Sequence, residues 1–420
     1  MTTHWPYRML LATLALLRPA TAVLADPAPP PAPAVAIAVD RLARYDAAQR
    51  VPTRQKLVFV YFTPSDRTPP PDRRERLTRV MLDVQRFYAD EMARNGLGRR
   101  TIQFDLGPDH LIDLHDVRGA QPTDAYRDDH QQAAGGMISR ESQPVLAAAG
   151  IDDRAQTVIY FCDLRTFENG RMTGIGPYYG TGAFTGPFHS GRCWFTDAPI
   201  FDPEKLADKT DKFDDQQYGH ISVGKYNSIF IGGAAHEIGH ALGLPHDKES
   251  AWQPGLGRSL MGSGNRTYRD DLRGEDRGSF LSLADALRLA SHPMFSGSDR
   301  GLRDRARAKL QDLHAEVKDG GIVLTGRVDA AVQPYAAVVY NDAMVPANFS
   351  HGQFQDYGST TWIGDLDEHD RFSIRIAQFR PGKARLRLIV CHVNAASTEF
   401  PFNFTVADDG TPDVSTIVQP

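Results

Sequence analysis

The sequence predicts two folded units of different class: an α+β unit with a mixed sheet over residues 54–300, followed by an all-β sandwich over 311–410. Three observations carry this. Apolar runs of strand length alternate with helical periodicity up to Leu164. Beyond Leu313 the apolar period becomes two. Between these patterns, residues 296–310 are rich in glycine and arginine and have no apolar period. At 420 residues, 41% of them hydrophobic, the chain is long enough for each unit to have its own core.

In chain order, residues 1–25 combine a weakly basic start, an apolar run from Met9 to Leu17 and small residues at Ala22 and Ala25. This pattern predicts a cleaved export signal and a secreted or periplasmic protein, with an uncleaved anchor as the alternative. The run is too short to span a bilayer, and no later stretch approaches the roughly 20 apolar residues needed, so stable membrane insertion of the mature chain is not expected. Residues 26–53 begin DPAPPPAPAVA and read as an extended proline- and alanine-rich linker. KLVFVYFTP (56–64) has the length and β-branched, aromatic character of a buried strand. Leu77, Val80, Met81, Val84, Phe87, Tyr88 and Met92 then recur at three and four, which predicts an amphipathic helix ending at Asn95-Gly96. TIQFDLG (101–107) reads as a second strand, 123–148 as a helix and QTVIYFCDL (156–164) as a third strand.

From Asn169 to Asp197 the chain turns glycine- and aromatic-rich, which predicts loops around one or two edge strands and a place for a substrate groove. The aspartate-rich stretch 208–215 lacks the spacing of a calcium loop and reads as a solvated turn. Ser282, with Asp285 three residues on, opens a helix that closes at His292-Pro293. IVLTGRV (322–328), AAVVY (336–340), FSIRI (372–376) and RLRLIVCHV (385–393) are the alternating strands of the sandwich. That unit carries no chemistry of its own, and a surface or polymer is the kind of target it would bind.

A net charge of −5 without a basic stripe excludes nucleic acid as a partner. Three cysteines fit an exported chain with at most one disulfide. Cys162 and Cys193 are either that pair or two buried thiols, and Cys391, inside an apolar run, is a buried inert thiol.

The chemistry concentrates in HEIGHALGLPHD, residues 236–247. His236 and His240 are four apart, so on one helix they face the same way and can aim two imidazoles at one ion. Gly243 offers a left-handed helix end, and Pro245 cannot continue the helix, so His246 returns from outside it as a third nitrogen ligand. Glu237 sits about 100° around the helix from His236 and can face water at the metal without being a ligand.

The run HExxHxxGxxHD resembles the motif of the metzincin zinc metallopeptidases, and Met261 in Ser259-Leu260-Met261-Gly262 stands where that superfamily places its methionine turn. No family within the superfamily is singled out. The resemblance implies a metzincin-like catalytic domain holding one catalytic Zn2+ on His236, His240 and His246, with Met261 structural beneath the site. It also implies hydrolysis of a peptide bond in a protein or peptide substrate by a metal-activated water, with Glu237 as general base. Some metzincins carry a tyrosine two residues after the methionine. Here that position is Ser263, which leaves three histidines as the ligand set, and Tyr268 is the nearest tyrosine that could approach an oxyanion. Asp247 either accepts the distal N–H of a ligand imidazole or anchors its own turn. A zinc hydrolase of a non-protein amide has the same ligands, and a surface-binding protein on an inactive scaffold is the rival from another class. Every candidate residue precedes 300, so a chain ending there is expected to fold and keep the site.

Overall fold

A computed structural model describes residues 32–127, 131–183, 190–250, 253, 255–343 and 358–417. The expected signal therefore lies outside the described residues. The linker reading changes where the structure begins: α1 spans Ala32–Ala48. The proline content ends at 33, after which Val35, Ala38, Leu42 and Tyr45 fall on one helical face. Ala38 and Leu42 are buried, and the Arg41 guanidinium donates to Pro334 O and Asp370 Oδ1, both at 2.6 Å. The segment is thus a brace against the C-terminal strands.

Strand β1 (Leu57–Thr63) leads to α2 (Arg73–Arg94), β2 (Leu114–Arg118), α3 (Gln131–Ala148) and β3 (Thr157–Asp163). The predicted alternation holds in order, but the second strand is displaced. Residues 101–107 run as an irregular segment in which Gln103 O accepts from Leu57 N, and the strand forms thirteen residues later. Short β4 (Thr166–Glu168) and β5 (Arg171–Thr173) precede β6 (Tyr179–Ala183) and β7 (Ser190–Asp197). The main sheet has the order β2-β1-β3-β7-β6, parallel except for β6, which pairs antiparallel to β7 at the edge. Of the expected edge strands, β7 is instead interior, since Cys193, Trp194 and Phe195 are buried between the helical layers.

One sheet face, with Phe59, Tyr61, Phe161, Cys193 and Phe195, packs on α2 and on α4 (Val223–Ala241). The other face, with Val60, Phe62, Tyr160, Cys162 and Trp194, packs on α3. Cys162 and Cys193 lie on opposite faces and both are free thiols, so the disulfide alternative is set aside. Strands β8 (Lys212–Asp215) and β9 (Gly219–Ser222) join β4 and β5 in a small sheet that leads into α4. Strands β10 (Arg258–Ser259) and β11 (Ser279–Phe280), α5 (Leu283–Ala290) and α6 (Pro293–Ser296) complete the unit. Ser282 Oγ caps α5 by accepting from Asp285 N at 3.1 Å.

The C-terminal strands are β12 (Lys309–Lys318), β13 (Gly321–Asp329), β14 (Pro334–Ala343), β15 (Thr360–Leu366), β16 (Arg371–Ile376), β17 (Gly382–His392), β18 (Ser397–Val406) and β19 (Pro412–Asp413). They form one antiparallel sheet rather than two separate ones. Strand β15 turns the corner, pairing with β14 through Thr360–Gly364 and with β16 through Asp365 and Leu366. The near-closed sheet wraps a core of Leu324, Ile374, Leu388, Phe402 and their neighbours.

The boundary near 300 does not separate two cores. A single buried cluster runs from Leu242 and Leu287 into Tyr335, Val338, Tyr340, Ile389 and Cys391. The outer face of β14 and β17 is apolar where it meets α5, and alternation along those strands therefore serves two cores.

Candidate metal centre

Helix α4 opens at Ser222, whose Oγ accepts from Lys225 N at 3.1 Å. It ends with Gly243 at φ 90° and Leu244 N donating to Gly239 O at 2.9 Å, the left-handed close that releases the chain toward Pro245. The helix lies against the sheet at unusually short range because two glycines face it. A Cβ on Gly180 of β6 would stand 2.0 Å from Glu237 O, and one on Gly191 of β7 would stand 2.2 Å from Ala241 O. Only glycine permits this approach, which brings the sheet edge onto the helix turn carrying His236 and Glu237.

The structure brings His236, His240 and His246 together. His240 Nε2 lies 3.0 Å from His236 Nε2 and 3.0 Å from His246 Nε2. His236 Nδ1 donates to Leu260 O at 2.7 Å and His240 Nδ1 to Leu244 O at 2.8 Å, which fixes their tautomers and leaves each Nε2 as a lone pair. Converging lone pairs repel unless a cation lies between them. Tetrahedral nitrogen ligands at roughly 2.0–2.1 Å from an ion stand about 3.3 Å apart, close to the separations here. The triad therefore fits a metal, and it is the single group of three or more such ligands among the described residues.

Met261 is fully buried beneath α4, where a Cβ on Gly239 would meet its Sδ at 2.5 Å. Its loop holds the site through the backbone, with Leu260 O receiving His236 and Met261 O receiving Asp247 N at 3.3 Å. Leu260 N in turn donates to Phe280 O at 2.7 Å.

Asp247 takes neither expected role: among the described residues its carboxyl accepts from no imidazole of the triad and from no backbone N–H of its own turn. Its Oδ1 accepts from Ser259 Oγ, and its carboxyl lies beside that of Asp285 in a fully buried pair in which neither Oδ2 has a hydrogen-bond partner among the described residues. Burial pushes both carboxyls upward, Asp285 to about 6. The imidazoles of His236 and His240 are oriented by carbonyl oxygens instead. Tyr268 is also set aside as an oxyanion group, because it is buried and its hydroxyl donates to Asp83 Oδ2 of α2 at 2.7 Å.

Glu237 accepts at Oε2 from Gly180 N, at 2.8 Å. Burial pushes its carboxyl up to about 8 against the opposing effect of that amide, and a cation held by the triad would draw it down again. Beside Glu237 opens a pocket of about 130 Å³ whose lining includes Arg165, Tyr178, Gln217, Tyr218, Asn265 and Arg266. The glycine-rich stretch before α4 thus does reach the site, through Gly176, Tyr178 and Gly180. Sequence reasoning missed Gly180 as an individual residue, although the clustered glycines of GIGPYYGTG signalled close backbone approach. Arg288, whose guanidinium donates to Gly243 O at 2.9 Å, carried no such signal.

No protein-family model and no curated protein matches the chain. Among solved structures, it is similar to wild-type OgpA from Akkermansia muciniphila, with a TM-score of 0.67 and 23% identity over 87% of this chain and 96% of that one. It is also similar to catalytically inactive OgpA in complex with an O-glycopeptide (glycodrosocin) substrate, with a TM-score of 0.66 and 24% identity over 85% of this chain and 94% of that one. These likenesses establish the fold, a mixed α/β unit joined to a near-closed antiparallel β unit. Among the described residues no helix is long and apolar enough to cross a membrane.

Proposed function

We propose that the chain is a secreted or periplasmic metzincin-type zinc endopeptidase. The observation that carries the reading is the convergence of three imidazole Nε2 atoms beside a desolvated glutamate that lines a pocket. His236, His240 and His246 would hold the ion, and nitrogen-only ligation with a tetrahedral spacing favours zinc. When bound, zinc supplies Lewis acidity, which polarises a carbonyl and makes water nucleophilic at neutral pH.

The remaining steps belong to the chain. Gly180 N–H holds Oε2 of Glu237 and leaves the other carboxylate oxygen to act as the base. That oxygen takes the proton of the attacking water and passes it to the departing amine nitrogen. The low-dielectric surroundings that raise the Glu237 carboxyl make it a stronger base once it is ionised. Strand β6, at the sheet edge above the helix, leaves one side for an extended peptide to line up beside Glu237.

The O-glycopeptide held by the OgpA complex makes an O-glycosylated peptide the first substrate to assay, beside its unglycosylated counterpart and a non-peptide amide. A targeting role on a surface or polymer is assigned to the C-terminal sheet. Purified protein should contain about one zinc per chain, and His236→Ala, His240→Ala and His246→Ala should each lose most of it. Full zinc content in all three variants would remove the assignment. Absence of turnover on all three substrate kinds by zinc-loaded protein would return the chain to the binding-protein reading.

A further inference from the structure

Among the described residues, the C-terminal sheet reaches the segment after His246 through a small patch. Directly after His246 and Asp247, Lys248 N donates to Ser359 O at 2.8 Å, Lys248 pairs with Thr360 as a parallel bridge, and Ser250 Oγ donates to Thr361 O at 3.2 Å. The first residues of β15 therefore act as a strand partner for the segment that delivers the third histidine. Ser359 is itself pinned, since its Oγ donates to Asp342 Oδ1 at 2.6 Å. Asp342 is fully buried and is held by Arg387, from Nε at 2.8 Å and Nη2 at 2.9 Å, and by Arg385 Nε at 2.9 Å. Two residues earlier on β14, Tyr340 OH donates to Asp285 Oδ1 at 3.2 Å, and the fully buried Asp285 carboxyl packs beside that of Asp247. The rings and cations close around this point, with the guanidinium carbons of Arg387 and Arg288 lying 5.0 and 5.6 Å from the centroid of Tyr340.

Two routes thus run from the interior of the C-terminal sheet to residues 247 and 248. One passes from Arg387 through Asp342 and Ser359, the other from Tyr340 through Asp285. Helix α4 fixes His236 and His240 without help from this sheet, whereas His246 stands on a turn with no secondary structure of its own. We propose that Tyr340 and Ser359 are positioning residues of the metal centre, so that the C-terminal sheet sets the place of His246 and completes the ligand geometry. The proposal rests on the reading of the triad as a metal site. It gives the sheet a task beyond any targeting role, one that a detached accessory module does not have.

The test uses the full chain loaded with Co2+, whose visible absorption reports ligand geometry, and follows transfer of the ion to an excess of chelator. Tyr340→Phe and Ser359→Ala remove one hydroxyl each and leave the apolar packing in place. Each is expected to shift the absorption bands and to speed metal release by about five- to tenfold, at the low end of what the loss of an outer hydrogen bond does to a metal site. Phe402→Leu, at a side chain that packs with Leu386 in the sheet's own core on the face opposite Arg387, is the comparison for general weakening. It should lower the melting temperature while leaving spectrum and release rate as in the wild type. Wild-type spectra and release rates in both seam variants would overturn the proposal, as would equal acceleration by Phe402→Leu. Failure of the wild-type chain to bind the ion would overturn the underlying reading of the triad instead.

Discussion

Two of the three imidazoles stand on a helix and the third on a turn, and the two supports differ in kind. His236 and His240 share α4, a helix whose own backbone hydrogen bonds fix their spacing and whose burial fixes its rotation. His246 stands beyond the helix end, on a turn that the helix ties down only as far as Leu244. Further partners of that turn lie far apart in the sequence: Arg288 on Gly243 O, Ser259 on Asp247, and Ser359 on Lys248. A motif of twelve residues therefore specifies which groups meet, while the accuracy with which the third one arrives depends on residues 259 to 359.

The largest effect that could break this contrast comes from ending the chain at 300. That removes every C-terminal partner of the turn and uncovers the apolar seam around Leu242 and Leu287. The shortened chain is expected to aggregate or, if kept in solution, to lose its metal, which reverses the expectation drawn from the sequence boundary. Size-exclusion chromatography with metal analysis decides it. A soluble monomer with full metal content would show that the turn supports itself.

Next in size is Glu237→Gln, which keeps both helix-borne imidazoles and removes only the proposed base. Zinc should stay bound while hydrolysis falls by about 10³-fold or more, at the upper end of general-base effects. The same variant has a pH signature in the metal-free chain. The folded carboxyl is raised to about 8 from an ordinary value near 4.5, so the folded state holds the proton more tightly than the unfolded one. Wild-type stability is then greatest below the unfolded pKa and is lost as the pH rises from about 4.5 through 8. Glutamine carries no such charge, so metal-free Glu237→Gln should gain on the wild type by on the order of 1–3 kcal/mol between pH 5 and 9 in urea titrations. Parallel curves for the two proteins would mean that water reaches Glu237 freely.

Gly180→Ala tests the sheet side of the helix. The added Cβ would stand 2.0 Å from Glu237 O, so β6 must retreat and its amide must leave Oε2. We expect kcat to fall by about tenfold with metal content unchanged, equivalent to about 1.4 kcal/mol in the barrier. A drop in metal content of the same size would mean that the glycine supports the ligands rather than the base.

How far the sequence discloses this arrangement follows from the range of the contacts. The twelve-residue motif, the long α2 and the capped α5 are written in local spacing, and they stand where periodicity puts them. The displaced second strand shows the opposite. TIQFDLG has the composition of a strand, but its place beside β1 is taken by Leu114–Arg118, and pairing of that kind is decided by the sheet rather than by the segment. α1 was hidden by its proline-rich start, although its apolar residues carry a helical period. The sequence offers Asp247 two local roles, and neither is the one observed. Its neighbours Ser259 and Asp285 lie 12 and 38 residues away, too far for spacing to disclose them.

The smallest effect separates the seam from the turn. Tyr335, like Tyr340, is a fully buried tyrosine on β14 reaching α5, where its hydroxyl donates to Leu287 O and lies 3.2 Å from Ser291 Oγ. Those partners belong to α5 and lead to no ligand. Tyr335→Phe should therefore cost about 1 kcal/mol of stability for one buried hydrogen bond. It should leave the rate of metal release unchanged, whereas Tyr340→Phe, with a similar loss of stability, should accelerate it. Denaturation midpoints and chelator-transfer rates measured on both variants distinguish the cases. If both tyrosines speed release alike, the seam acts on the centre as a whole, and the two routes traced through residues 340 and 359 are not special to the turn that carries His246.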